Sequence, residues 1–445
     1  MALAISTGKV DITPPVGSIM AGYGVDTPRV ATGVNRPLRA RCTIFWDDGW
    51  PNAIVTVDTL AFGRSLHINI RDRVAAIGIP QGDFVLSTSH THSGPATTEK
   101  LDPFIAYNAN ATHRTQISNL STALADKIVQ LVQDTYNATR VPCTLDYKVT
   151  TQNWSYNREG MSYRETDVPV LVARNSSGAP LAVLFSYGCH PVAGGSQTLL
   201  DPDYPGAAAD RIESSTGALA QFILGPCGDQ NPDGVFSLSY VDQLGQNLAT
   251  AVTTAMATPG RALAGPILTG YSTVNLPLDI TPTPGNMQVV KNIYQQRQQN
   301  YPSGYHRRHA QTMIQQIDSN TFATSVPLPI QVWKLSGAPG LRMVFSGGEV
   351  VSGFAVYMRS LYGGSSRLLY STCCHETLCY IPSDELLRRG ESYAGGFDAD
   401  HPGIAGGSMT VYGYLGHFRG KPTASSPNGV EQIYINAVRS LLGTP

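Results

Sequence analysis

An α/β fold of mixed β-sheets flanked by helices is what this sequence predicts, on three observations. Apolar runs of strand length recur along the chain, helical periodicities alternate with them, and several runs are near-continuous, the mark of strands covered on both faces by helices. The order begins with sheet: RARCTIFWDDGWPNAIVTVDTL, from Arg39 to Leu60, sets two β-rich runs around a DDG turn and reads as a hairpin. A helix is expected over Ser65 to Ile77, a buried strand over Phe84 to Ser87 and a second helix over roughly Gln116 to Tyr136. Further strands are expected at Val168 to Asn175, Leu181 to Gly188, Ala220 to Gly225, Ile330 to Leu335 and Leu341 to Gly347. The Pro- and Thr-rich stretch from Leu276 to Gly285 reads as a connection. The polar run QVVKNIYQQRQQN reads as a helix that lines or covers a cleft, and GVEQIYINAVRSLLG as the last helix. No repeat or extended low-complexity segment interrupts this pattern, so one catalytic domain spanning 1–445 is the expected organisation.

Composition removes several classes of function. The 31 basic and 32 acidic residues give a formal charge of -1, with no run of like charge, so nucleic acid is excluded as a partner. Only 14% of residues are charged, against roughly 25% in an average soluble domain, a balance compatible with a secreted or periplasmic enzyme. No window approaches the roughly 20 apolar residues of a membrane span, and MALAISTGKVDITPPVG lacks the basic start and long apolar run of a signal peptide. The seven cysteines include no C-x-x-C pair, which excludes a zinc ribbon or thioredoxin motif. Their odd number leaves at least one thiol unpaired, and buried free thiols are the expectation. Five N-x-[ST] sequons, at Asn110, Asn119, Asn137, Asn153 and Asn175, matter only in a secreting eukaryote.

The strongest local signal is His90-Thr91-His92-Ser93-Gly94-Pro95, where the apolar strand FVLSTS runs into a Gly-Pro turn. Alternate residues of a strand share a face, so both imidazoles can enter one cleft, and neutral imidazole is the commonest zinc-binding side chain. Three more strand ends carry candidate groups: His190 in LFSYGCHPVAGG, Asp229 in GPCGDQNP and Glu349 in VFSGGEVVSG. Each alone reads as a turn or an ordinary polar residue; together they place two His, an Asp and a Glu along one sheet edge, where loops display functional groups. No nucleophile elbow, Walker loop, H-E-x-x-H or G-x-G-x-x-G fingerprint is present. His306 and His309, in YHRRHA, are expected on a solvated helix face.

The string of motifs resembles the neutral, non-lysosomal ceramidase family over nearly the whole chain. The matching pieces are VDITPPVG (10–17), MAGYG (20–24), Thr32-Gly33, PLRAR (37–41), HTHSGP (90–95) and Asn157-Arg158. After these come GCHPV (188–192), DYPG (203–206), Gly228-Asp229, Gly348-Glu349 and YIPSDELLRRGESYAGG (380–396). The resemblance implies a catalytic zinc held by His90, His190, Glu349 and Tyr380, with His92 beside the substrate carbonyl and Arg158 and Tyr393 steadying the oxyanion. It implies hydrolysis of an N-acyl amide, of ceramide or another N-acylated amine, by water that zinc activates at neutral pH, with His92 passing a proton to the leaving amine. Asp229 and Asn231 would then meet the substrate. Two departures stand out. Gln230 and Asn231 replace the Ser-bearing loop of ceramidases, so a head-group hydroxyl contact becomes an amide. The family's C-terminal β-sandwich has no counterpart before Pro445. Asn231 and the unusual CCHETLCY segment leave open an ester, a lactone or acyl transfer as the reaction, and a binding protein that has lost the chemistry is the reading from another class. A (β/α)₈ metal amidohydrolase is disfavoured by the irregular β-rich start.

Overall fold

The hairpin expected around the DDG turn is the spine of the smaller of the two main sheets in the computed structural model of the chain. That structure describes residues 3–23, 27–97, 109–302, 304–389, 392–396, 400–401, 403–406, 413–420 and 429–445. Gly24, Gly390 and Glu391 of the family-like motifs lie outside the described residues. In chain order the first elements are β1 (Leu3–Asp11), β2 (Gly33–Val34), β3 (Arg39–Asp47), β4 (Trp50–Val57), α1 (Arg64–Ile77), β5 (Phe84–Thr88) and α2 (Ala111–Asn137). There follow β6 (Val141–Pro142), β7 (Thr144–Thr151), β8 (Ser155–Asn157), β9 (Asp167–Arg174), β10 (Pro180–Tyr187), β11 (Leu199–Leu200), α3 (Asp203–Thr216), β12 (Leu219–Leu224) and β13 (Gln230–Pro232). Next come α4 (Leu238–Met256), β14 (Arg261–Pro277), α5 (Pro284–Asn300), α6 (Tyr305–Ser319), β15 (Ser325–Gly337), β16 (Leu341–Ser346) and β17 (Glu349–Val350). The last are α7 (Ser352–Tyr362), β18 (Leu368–Ser371), β19 (Tyr380–Ile381), α8 (Asp384–Arg388) and α9 (Val430–Leu442). Among the described residues no helix is long and apolar enough to cross a membrane.

Two mixed sheets carry the architecture: a five-stranded one in the order β5-β4-β3-β1-β6 and an eight-stranded one in the order β12-β10-β9-β7-β14-β15-β16-β18. They pack face to face. Ile5, Phe45, Ile54 and Val85 of the smaller sheet meet Leu171, Leu184, Trp333 and Met343 of the larger. The outer face of the smaller sheet, through Ile44, Val55 and Leu86, receives Ile70 and Val74 of α1 and Ile128 and Val132 of α2. The outer face of the larger sheet receives α3 and α4 over β9, β10 and β12. Helices α5, α6, α7 and α9 cover it over β14, β15, β16 and β18. The near-continuous apolar runs are therefore explained differently from the expectation: each strand has helices on one face and the other sheet, not more helices, on the second. In β10, Val183 and Phe185 point toward α3 and α4 while Ala182 and Leu184 point into the sheet–sheet layer, so period-2 alternation is present but both sets are apolar.

Within these two sheets three strand pairs run parallel, β4 with β5, β10 with β12 and β16 with β18, and each contains a sheet edge. The segments leaving their carboxyl ends are stitched together by backbone bonds: Thr372 N–H to Leu224 O at 2.9 Å, Thr88 N–H to Cys373 O at 3.2 Å, and Cys374 N–H to Ser346 O at 3.0 Å. This is where open α/β sheets build sites, here with contributions from both sheets rather than from one edge.

Candidate metal centre

His90, His92 and His190 each bring a ring nitrogen within 4.8 Å of the others. The H-T-H segment is not strand: β5 stops at Thr88, and His90 takes a left-handed backbone (φ 61°) that its N–H bond to Thr59 O at 3.0 Å helps to hold. The kink turns His90 inward, and its Nδ1 pairs with the Leu60 carbonyl at 2.8 Å. His190, beyond β10, pairs its Nδ1 with the Cys227 carbonyl at 2.7 Å. An Nδ1–H donated to a backbone carbonyl leaves Nε2 with the free lone pair, as in metal-ligating histidines. Both Nε2 atoms face Glu349 Oε2, at 3.4 Å from His90 and 3.2 Å from His190.

Glu349 and Tyr380 are Cα partners in the short parallel pair β17–β19, which places their side chains next to each other. Burial raises the Glu349 carboxyl pKa, but the His90 and His190 imidazoles outweigh it and hold the group well below the usual carboxylate range. The Tyr380 hydroxyl lies 3.4 Å from His190 Nε2 and accepts from Arg158 Nη2 at 3.0 Å. The same guanidinium donates to Gly228 O at 2.7 Å and lies 4.4 Å from the centroid of the Tyr393 ring. Tyr393 is 46% exposed, so this part of the cluster opens to solvent. Asn231 accepts a long bond, 3.5 Å, from Arg158 Nη1. Gly228 has to be glycine, because a Cβ there would sit 2.7 Å from Glu349 O.

The structure thus brings together His90, His92, His190, Glu349, Tyr380, Arg158, Tyr393 and Asn231. Asp229 stands apart from the expected substrate contact. It is fully buried, and its oxygens accept from the Ser352 N–H at 2.6 Å, the Ser352 hydroxyl at 2.8 Å and Asn157 Nδ2 at 2.7 Å. It ties the loops carrying Arg158 and Glu349 together. His309 is also corrected: it is 2% exposed on α6, with its ring edge-on to Tyr294 at 5.8 Å, so YHRRHA is not a solvated face. All seven cysteines are free, and six are buried.

The orphaned polar atoms test whether this donor set suits a metal. His90 Nε2 and both ring nitrogens of His92 are buried with no hydrogen-bond partner, a costly arrangement that an ion or a substrate would relieve. Imidazole, carboxylate and phenol oxygen in this number suit a borderline divalent ion of the zinc type, and the residues fit. Sequence reasoning missed three neighbours. Cys373 sits against His90, Tyr23 packs edge-on to His92 at 5.2 Å, and Arg29 donates to the His92 carbonyl at 2.6 Å. Both Cys373, within CCHETLCY, and Tyr23, within MAGYG, lie in segments singled out above, but a lone thiol or aromatic carries no signal of its own.

The described architecture is one already seen in solved structures, which cover the whole of this chain. The likeness is to the neutral ceramidase from Pseudomonas aeruginosa, at TM-score 0.69 and 15% identity, with 100% of this chain and 75% of that one covered. A ceramidase complexed with C2 gives TM-score 0.68, 15% identity and coverage of 100% and 76%. At this identity the likeness establishes the fold. No protein-family model matches the chain, and no curated protein does.

Proposed function

We propose that this chain is a zinc-dependent hydrolase of N-acyl amides, with ceramide-like or other N-acylated amines as substrate. The observation that carries the reading is the pair of histidines whose Nδ1 atoms are tethered to backbone carbonyls and whose Nε2 atoms meet over one carboxylate, on a ceramidase fold. His90, His190, Glu349 and Tyr380 would hold the ion. When bound, zinc supplies the Lewis acidity that makes water nucleophilic near pH 7. Arg158, fixed by Gly228 and Tyr380, would donate to the carbonyl oxygen as negative charge develops there, and the Tyr393 hydroxyl would do the same from the solvent side. Each preorganised donor of this sort lowers the barrier by about 3 kcal/mol. His92 would move a proton to the departing nitrogen. Burial, and the neighbouring His90 and His190, hold its imidazole well below its ordinary pKa, so the resting ring is neutral, and a proton it carries is readily given up.

A panel of acyl amides and esters with matched acyl chains, assayed for fatty-acid release with and without added zinc, tests the reading. Zinc-dependent release from the amides supports it. Release from esters alone would move the same centre to ester chemistry, and no turnover of either after zinc loading would favour a binding protein.

A further inference from the structure

We propose that the Tyr23 hydroxyl is a specificity contact, donating a hydrogen bond to a polar substituent on the amine half of the substrate. The inference rests on the amide-hydrolase reading for what the site binds, and on separate observations for Tyr23. Its hydroxyl is buried and makes no hydrogen bond, an arrangement that disfavours the folded state unless something occupies the space beside it. The ring is held from two sides: it packs edge-on to His92 at 5.2 Å, and the Arg29 guanidinium lies 4.7 Å from its centroid. Arg29 is in turn fixed by the Ala21 carbonyl, by the His92 carbonyl at 2.6 Å and by the Gln197 carbonyl at 2.6 Å. Gly22 permits this approach, since at φ 105° a Cβ would lie 2.7 Å from the His92 ring.

A phenol clamped in this way loses little further freedom on meeting a ligand, which is the condition for a polar group to discriminate. The side of the site follows from its neighbour. His92 is the proton donor to the departing nitrogen in the proposed reaction, so a hydroxyl beside His92 meets substituents of that nitrogen rather than the acyl chain. Asn231 is already engaged with Arg158, which leaves Tyr23 to read the amine.

The test compares N-hexanoylethanolamine with N-hexanoylpropylamine, which differ by a hydroxyl for a methyl. The parent is expected to prefer the ethanolamide by about tenfold in kcat/KM, the scale of one well-placed hydrogen bond. Tyr23→Phe keeps the ring and the zinc content, removes the preference and leaves the propylamide within about twofold. A preference that survives in Tyr23→Phe, an equal loss on both amides, or no preference in the parent overturns the proposal. Titration calorimetry with the corresponding sulfonamides, which hydrolysis does not consume, reads the same ratio in Kd. A parent that turns over neither amide but binds the ethanol sulfonamide with a Tyr23-dependent preference would defeat the hydrolase reading and leave this one standing.

Discussion

Gly22→Ala is expected to cost about a hundredfold in activity without unfolding the protein or releasing zinc. An added methyl would lie 2.7 Å from His92 Cγ and Nδ1 and 2.8 Å from His92 Cα, where ordinary van der Waals contact begins at 3.4 Å. The gap has to open by about 0.7 Å, and because the backbone Cα is among the atoms struck, a rotamer change of His92 cannot relieve it. The left-handed φ of 105° adds strain of about 1–2 kcal/mol, which a chain of this size tolerates. A displacement on the scale of 1 Å in a catalytic group lowers a rate by about 10²-fold. The assay is kcat for fatty-acid release from a short-chain N-acyl amide, with circular dichroism and elemental zinc on the same preparation. A variant with folded spectra and unchanged kcat would refute the placement of His92 at the reacting bond.

Other outcomes follow from buried charge. Glu376 is fully buried between Arg64 at 2.7 Å and His67 at 3.0 Å, and His67 Nε2 in turn accepts from Arg71 Nε at 2.9 Å. Glu376→Gln leaves Arg64 without its carboxylate and weakens the chain through His67 to Arg71, and should cost about 1–3 kcal/mol, read as a lower urea midpoint at constant slope. Stability should also fall in acid. Burial, with Arg297 and the two nearby histidines, pushes His309 down to about 3, and burial pushes His417 down to about 4. Both folded values lie below the unfolded value of 6.5, so their contribution is complete above that pH and is lost as pH falls toward 4. At about 1.4 kcal/mol per pH unit and group, His309 alone removes roughly 3 kcal/mol between pH 6.5 and 4.5. Urea titrations of His309→Gln should show a shallower acid slope, and an unchanged slope would contradict the assignment.

Much of the fold was legible because local and global signals agree. The DDG turn sits between two runs whose alternate residues are all apolar, and β3 and β4 pair across it with Asp47 opposite Trp50. The second helix begins at Ala111, earlier than its apolar periodicity suggests, because the Asn110 side chain caps the His113 N–H. What lies across strand β10 was not legible, since Leu184 is equally suited to a helix or a second sheet. His309 misleads for a related reason: YHRRHA is polar in composition, and only the packing of α6 against Tyr294 buries it. In the candidate site the motif string located the histidines, the Glu and the Tyr–Arg cluster, although the H-T-H geometry arises from a left-handed kink rather than strand alternation. Asp229 could not be separated from its neighbours in sequence, because its three hydrogen bonds come from residues 72 and 123 positions away.

The most direct measurement is a crystal structure with diffraction data collected on either side of the zinc absorption edge, from protein purified without chelator. The account predicts one anomalous peak within bonding distance of His90 Nε2, His190 Nε2, Glu349 and Tyr380, absent from His190→Ala. A peak elsewhere, or active protein with no peak between these side chains, would contradict it.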